Sequence, residues 1–317
     1  MAGEPGAAGR VVVLDGGLAS ELVARGHDLS DHLWSARILL TDPDAIENVH
    51  LDYFRAGARV ATTASYQATI PGFEAAGLDR AAALEAIRRS VKMARGARAR
   101  FAEESGVEAA DILVAGSVGP YGAMLADGSE YRGDYDPGKT VLRDVHAPRM
   151  EALLEAGVDL LALETIPTLT EAEVLVDLVE AFGARAWLSY QCRDASSTAA
   201  GEPVAEAFAV AAGAPWIVAV GVNCLPPRHV PTLVRAARRA SDRPSIAYPN
   251  GGDTWDPASR RWASGDVDAF DPEAVASWAG LGATWLGGCC GTGPAEIAAL
   301  ARSLSRGTDG PDGTDGT

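Results

Sequence analysis

Cysteine is scarce in this chain: Cys192, Cys224, Cys289 and Cys290 are the only four in 317 residues. Two of them are adjacent, and a ring closed through neighbouring residues is strained, which argues against a disulfide framework. The set reads instead as metal ligands or a reactive thiol in a reducing compartment. Long apolar runs are missing too. No stretch approaches the roughly 20 uninterrupted apolar residues of a membrane span. The first residues, MAGEPGAAGRVVVLDGG, hold no basic region followed by an apolar core, so no secretory leader is expected. Basic residues are outnumbered, with 27 Lys and Arg against 43 Asp and Glu and a formal net charge of −16. Such a surface repels phosphate backbones and anionic lipid, so neither nucleic acid nor a membrane is an expected partner. The acidity serves first as a solubilising shell, and a cationic substrate is the secondary reading. A soluble, cytoplasmic protein is expected.

What is present is an ordinary globular composition, 47% hydrophobic and 22% charged, which excludes disorder, collagen and coiled coil. Short apolar runs recur at Val11–Leu14, Arg59–Thr63, Ile112–Ala115, Leu160–Leu163, Ala186–Tyr190, Ile217–Val220, Ser245–Tyr248 and Thr284–Leu286. Near-continuous apolar character over so few residues suits strands buried on both faces of a parallel sheet. Helical spacing fills the intervals. Thr41-Asp-Pro, Thr170-Glu-Ala-Glu, Asp271-Pro-Glu and Gly293-Pro-Ala are start signals, and Leu78–Glu104, Gly138–Ala156, Pro203–Ala212 and Pro227–Ala240 complete the series. Eight strands, each followed by a helix, predict a single (β/α)8 barrel over residues 11–305, with an open doubly wound sheet as the other closure. Residues 1–10 and the Gly/Asp/Thr-rich 306–317 are expected to be flexible.

In such a barrel, chemistry lies where strands end. Those points read Asp15-Gly-Gly, Thr62-Thr-Ala-Ser-Tyr, Glu164-Thr, Gly221-Val-Asn-Cys224, Tyr248-Pro-Asn-Gly-Gly and Gly287-Gly-Cys-Cys-Gly-Thr292. Three of the four cysteines fall there. Taken singly, a buried cysteine is a small hydrophobe, which is how Cys192 reads. Cys224, Cys289 and Cys290 together suit a soft tetrahedral ion, Zn2+ by default, and three protein ligands leave a position open for substrate. A thiolate-rich zinc is a weak Lewis acid for making hydroxide. It suits a substrate thiol, which it lowers from a pKa of roughly 8.5. Asp15 and Glu164 lack a neighbouring Lys or Arg in their motifs, so they suit a substrate ammonium, although a turn and a loop cap would account for each alone. The Thr62–Tyr66 segment, with the Ser65 hydroxyl, offers donors to a carboxylate.

These motifs, LDGGLASEL, Thr-Ala-Ser-Tyr-Gln, Leu163-Glu-Thr, Gly221-Val-Asn-Cys and GGCCGT, resemble those of the homocysteine S-methyltransferases over residues 11–305. The run from Val118 to Tyr135 is similar to the branch that uses S-methylmethionine or S-adenosylmethionine, and no cobalamin or folate module is expected. The resemblance implies a barrel with zinc on Cys224, Cys289 and Cys290. It implies that L-homocysteine has its ammonium at Asp15 and Glu164, and its carboxylate at amides around Gly16, Gly17 and Ser65. It leaves Cys192 without a role. The 120–137 loop, with Tyr121, Tyr131 and Tyr135, is either a lid offering aromatic faces to a sulfonium or a packed surface loop. His27, His32, His50, His146 and His229 are expected away from the site. Two rivals stay open on the residues alone: a zinc hydrolase, and a non-enzymatic zinc or redox-sensing barrel that would need neither Asp15 nor Glu164.

Overall fold

The computed structural model describes residues 11–29, 35–252, 254–256, 261–263 and 270–308. The strands are β1 (Val12–Val13), β2 (Val60–Thr62), β3 (Leu113–Val118), β4 (Leu160–Ile166) and β5 (Ala186–Tyr190). They continue with β6 (Ile217–Asn223), β7 (Ser245–Tyr248), β8 (Thr254–Asp256), β9 (Arg261–Ala263) and β10 (Ala283–Leu286). Eight of them form one parallel sheet in the order β1-β10-β7-β6-β5-β4-β3-β2. Val12 pairs with Trp285 at one seam, and a Leu14–Val60 bridge joins β1 to β2 at the other. The sheet thus closes as the expected (β/α)8 barrel. The antiparallel pair β8–β9 is an addition that the apolar runs did not signal.

Two apolar compartments follow from strands buried on both faces. Side chains facing outward join the helices in the larger cluster, while Leu14, Val60, Ala115, Ala162, Ala219 and Ile246 pack inside the barrel with Trp187, Tyr248 and Trp285. Alanines on three of these strands leave room for two indoles, whose centroids lie 6.0 Å apart. This aromatic layer fills the barrel interior, and truncating such a ring to Ala costs about 3–5 kcal/mol. Its polar edge matters for function: the Trp187 Nε1–H donates to the Tyr248 hydroxyl at 3.0 Å, and that hydroxyl donates on to Glu164.

The outer helices start at capped positions. Asp42, Asp79 and Thr168 accept from the Ala45, Ala82 and Glu171 N–H groups, so each helix begins where a side-chain acceptor satisfies an orphaned donor. The long helix expected over Leu78–Glu104 is Arg80–Ser105, capped by Asp79, and a short helix, Ile70–Ala75, precedes it without having been expected. The last helix, Pro294–Thr308, runs three residues past the expected boundary at 305. The remaining expected tail, 309–317, and residues 1–10 lie outside the described residues. No described helix is long and apolar enough to cross a membrane.

Candidate active site and metal centre

The strand ends converge on a cavity of about 100 Å3, lined by Asp15, Gly16, Gly17, Thr62, Tyr66, Ser117, Tyr131, Glu164, Tyr248 and the three cysteines, among others. Among the described residues, no Lys, Arg or His lines it. The sulfur of Cys224 lies 3.8 Å from that of Cys290, and Cys289 and Cys290 are 3.9 Å apart. All three sulfurs fall within 4.8 Å of one another, a grouping that could hold a metal ion. Thiolates at about 2.3 Å from a tetrahedral ion stand about 3.8 Å apart, which the Cys224–Cys290 and Cys289–Cys290 separations match. Hydrogen bonds from the Cys289 and Cys290 thiols hold Cys224 well below the ordinary thiol range, while those two are pushed up and keep their protons.

Backbone geometry aims the ligands. Cys224 has φ 54° and Thr165, next to Glu164, has φ 60°, two of three described non-glycine residues in the left-handed region. Such a conformation costs roughly 1–2 kcal/mol and needs outside support. Asn223 supplies it. Its amide oxygen accepts from the Thr165 N–H at 2.8 Å and from the Ser189 hydroxyl at 2.7 Å, and its nitrogen donates to the Thr165 hydroxyl at 2.8 Å. The ends of β4 and β6, one bearing a carboxylate and the other a thiol, are thereby braced together. On the last strand, the Cys289 N–H donates to the Pro249 carbonyl at 2.7 Å, and the Gly251 N–H donates to the Cys290 carbonyl at 2.7 Å.

Gly16 and Gly17 serve close approach. A Cβ on Gly16 would come within 2.6 Å of the Thr292 carbonyl oxygen, and one on Gly17 within 2.7 Å of the Cys289 carbonyl oxygen. Only glycine lets the β1 loop lie against the cysteine loop. Two of the donors expected to meet a carboxylate are engaged within the chain. The Gly17 N–H donates to the Thr292 carbonyl at 2.9 Å, so it is not open to a ligand. Ser65 is absent from the cavity wall: its N–H donates to the Thr63 carbonyl and its hydroxyl to the Ser117 carbonyl, at 2.7 and 2.8 Å.

Both carboxylates are where the sequence put them. Asp15 is 5% exposed and accepts from the Thr62 N–H and hydroxyl at 2.7 and 2.9 Å. Glu164 accepts from the Ser117 hydroxyl and, at 3.2 Å, from the Tyr248 hydroxyl. Burial pushes Asp15 up to about 7 and Glu164 up to about 8, against the pull of these hydrogen bonds. Two buried carboxyls without a cation are a site prepared for a positively charged group. The sequence reading missed Ser117 because it ended β3 at Ala115, three residues early. Of the loop tyrosines, Tyr131 reaches the site, its hydroxyl 3.8 Å from the Cys224 sulfur. Tyr135 turns away to donate to Glu171 at 2.5 Å, with Tyr121 packed against it. His50 and His146 are buried and, like His27 and His229, lie off the cavity wall; His32 lies outside the described residues. Cys192 is buried apart from the cluster, pushed up to about 12 by burial.

Residues 12–304 match the homocysteine S-methyltransferase family. The chain belongs to that family. The homocysteine S-methyltransferase of Escherichia coli is 47% identical over 92% of this chain and 95% of its own length. A Bacillus subtilis homocysteine S-methyltransferase, YbgG, is 44% identical over 93% and 95%. The crystal structure of the E. coli homocysteine methyltransferase MmuM in its metallated form superposes with a TM-score of 0.83, at 44% identity over 93% of this chain and 96% of that one. A homocysteine methyltransferase crystallised in a metallated form thus shares this architecture, and among the described residues the thiol cluster is the group that could hold a metal.

Proposed function

We propose that this chain transfers a methyl group from a sulfonium donor, S-methylmethionine or S-adenosylmethionine, to the thiol of L-homocysteine, giving methionine. The observation that carries the reading is the pairing of a three-thiol cluster with two uncompensated buried carboxyls in one cavity. An amino acid with a thiol side chain presents the complement of both. Cys224, Cys289 and Cys290 would hold Zn2+, for which their spacing and softness fit. When bound, zinc supplies a site at which the substrate thiol persists as a nucleophilic thiolate at neutral pH.

The chain's own residues do the rest. Asp15 and Glu164 take the homocysteine ammonium, which draws both carboxyls into their ionised form. Thr62, Ser117 and Tyr248 fix the carboxylates from behind, so the charge meets the substrate without reorganisation. The homocysteine sulfur, its proton released to solvent, attacks the donor methyl carbon in line. The new S–CH3 bond forms as the donor's S–CH3 bond breaks, and its electron pair stays on the departing neutral thioether. Anion and cation are both neutralised, so a dry cavity assists the step. A cytoplasmic setting, where thiols stay reduced, keeps the three ligands available.

Methionine formation from homocysteine with each donor in turn, alongside zinc analysis of the purified protein, tests the reading. Stoichiometric zinc and turnover with a sulfonium are expected. Zinc without methyl transfer from any sulfonium would overturn it in favour of a metal-binding barrel.

A further inference from the structure

One buried carboxylate among the described residues has no assigned work and one oxygen without a hydrogen bond. Glu130, in the turn Ser129–Tyr131, is 5% exposed, and its Oε2 has no hydrogen-bond partner among the described residues. The neighbouring cation is engaged elsewhere: Arg132 donates to the Asp134 carboxylate at 2.7 Å and to the Asp127 carbonyl at 3.0 Å. A buried, unpaired acid is costly, and burial pushes Glu130 up to about 7. Its charge acts on the hydroxyls of Tyr66 and Tyr131, both of which line the cavity. Glu130 immediately precedes Tyr131, whose side chain lines the cavity, and is not itself part of the lining.

Two further orphaned oxygens lie on the same side. Gln67 spends its Nε2 on the Ala123 carbonyl at 3.1 Å and leaves Oε1 unpartnered. Ala123 follows Gly122, against which the Glu130 backbone packs so closely that a Cβ would approach the Glu130 nitrogen to 2.6 Å. The Tyr66 hydroxyl, buried, makes no well-formed hydrogen bond. Buried acceptors without donors are rare in a folded protein and mark a missing ligand.

We propose that Glu130, Gln67 and Tyr66 form the subsite for the α-ammonium of the methyl donor. The inference rests on the sulfonium-donor reading above and adds which end of the donor goes where. A sulfonium has no N–H or O–H and cannot satisfy an orphaned acceptor. An ammonium carries three donors, one for each of these three oxygens. The order along the site agrees: the thiols come first, then the Tyr131 hydroxyl at 3.8 Å from Cys224, then Glu130 one residue along the same turn. The sulfonium methyl thus meets the homocysteine sulfur while the ammonium end is anchored beyond Tyr131. Selection is then for donors built on an α-amino acid, over simple dialkyl or trialkyl sulfoniums.

The test is Glu130→Gln, assayed as zinc-loaded full-length enzyme with S-methylmethionine and with its deaminated analogue, (3-carboxypropyl)dimethylsulfonium. Losing a charged hydrogen bond should raise the KM for S-methylmethionine roughly 10- to 100-fold, leaving the KM for homocysteine and the zinc content unchanged. The analogue should be a poor donor for the wild type, and the substitution should cost it nothing further. Calorimetric titration of S-methylmethionine into homocysteine-free enzyme should show the same loss of affinity. An equal loss with both donors, or none with either, would overturn the subsite. If Glu130→Gln does not fold, the wild-type comparison and Gln67→Leu decide: equal kcat/KM for the two donors in wild type overturns the inference while leaving methyl transfer standing. Failure of S-methylmethionine, its analogue and S-adenosylmethionine alike with the wild type would instead overturn the function itself.

Discussion

Replacing Asn223, a side chain 1% exposed, by Leu keeps its branched heavy-atom shape and removes all three of its hydrogen bonds. Each bond contributes about 1 kcal/mol net, and leaving the Thr165 N–H buried without an acceptor adds about 1–3 kcal/mol more. The left-handed backbone at Thr165 and Cys224 also loses its brace. Together these predict a loss of about 4–6 kcal/mol in folding stability. The functional effect is separable from that loss. Asn223 touches no candidate metal ion, but it sets the direction of the Cys224 sulfur, and such supporting contacts are worth about 10- to 100-fold in metal affinity. The assay is chelator competition for zinc at a temperature where both proteins are folded, beside denaturant unfolding of the metal-free forms. Cys192→Ala, which alters a buried thiol outside the cluster, is the control and should keep wild-type affinity. If Asn223→Leu unfolds more easily yet binds zinc like wild type, the bracing account of Cys224 is wrong.

Three further outcomes follow from the same geometry. Cys290→Ala should lose metal and methyl transfer together, since its sulfur lies within 4 Å of both others; retained zinc with full turnover, read by metal analysis and methionine assay, would refute the ligand set. Glu164→Ala should keep its zinc and raise the KM for homocysteine roughly 10- to 100-fold, the loss of a charged hydrogen bond; a loss of zinc instead would place Glu164 among the ligands. His50 is buried, with neither ring nitrogen hydrogen-bonded among the described residues, and burial lowers its pKa from 6.5 to about 4. Below pH 6.5 the unfolded chain takes up a proton that the folded chain refuses, so stability falls as pH drops toward 4, by up to about 3 kcal/mol. Unfolding curves of His50→Leu against wild type should show that slope vanish, and an unchanged slope would remove His50 as its source.

The barrel was legible because strands buried on both faces leave an apolar run whatever their neighbours are. All eight runs coincide with the eight barrel strands. Three of their C-terminal ends were misjudged in a consistent way. Strands β3, β4 and β6 were read as stopping at Ala115, Leu163 and Val220, but they continue to Val118, Ile166 and Asn223. In each case the apolar run gives way to polar or small residues that serve the site: Ser117, Glu164 and Thr165, Asn223. Hydrophobic periodicity ends where function begins, so Ser117 fell outside view while Glu164, beside a run's end, was found. The engagement of the Gly17 and Ser65 donors was hidden for another reason. Whether a backbone N–H is open depends on contacts such as Gly17 with Thr292, which no local pattern encodes. Glu130 and Gln67 were equally invisible, since an orphaned acceptor is defined only by the absence of neighbours in three dimensions.

The seam between β1 and β10 has a bearing on how the enzyme is made. The first strand has one of its two flanking partners in the last, so the N-terminal segment emerges from the ribosome with nothing to pair against on that side until nearly the whole chain is synthesised. Two of the three thiols follow directly on that same last strand. Metal acquisition and barrel closure are therefore bound to the same late event. A nascent or truncated chain ending before β10 presents a single thiol of the cluster, too few to hold the ion. A three-thiol metal site can therefore exist only once the chain has been made through Cys290.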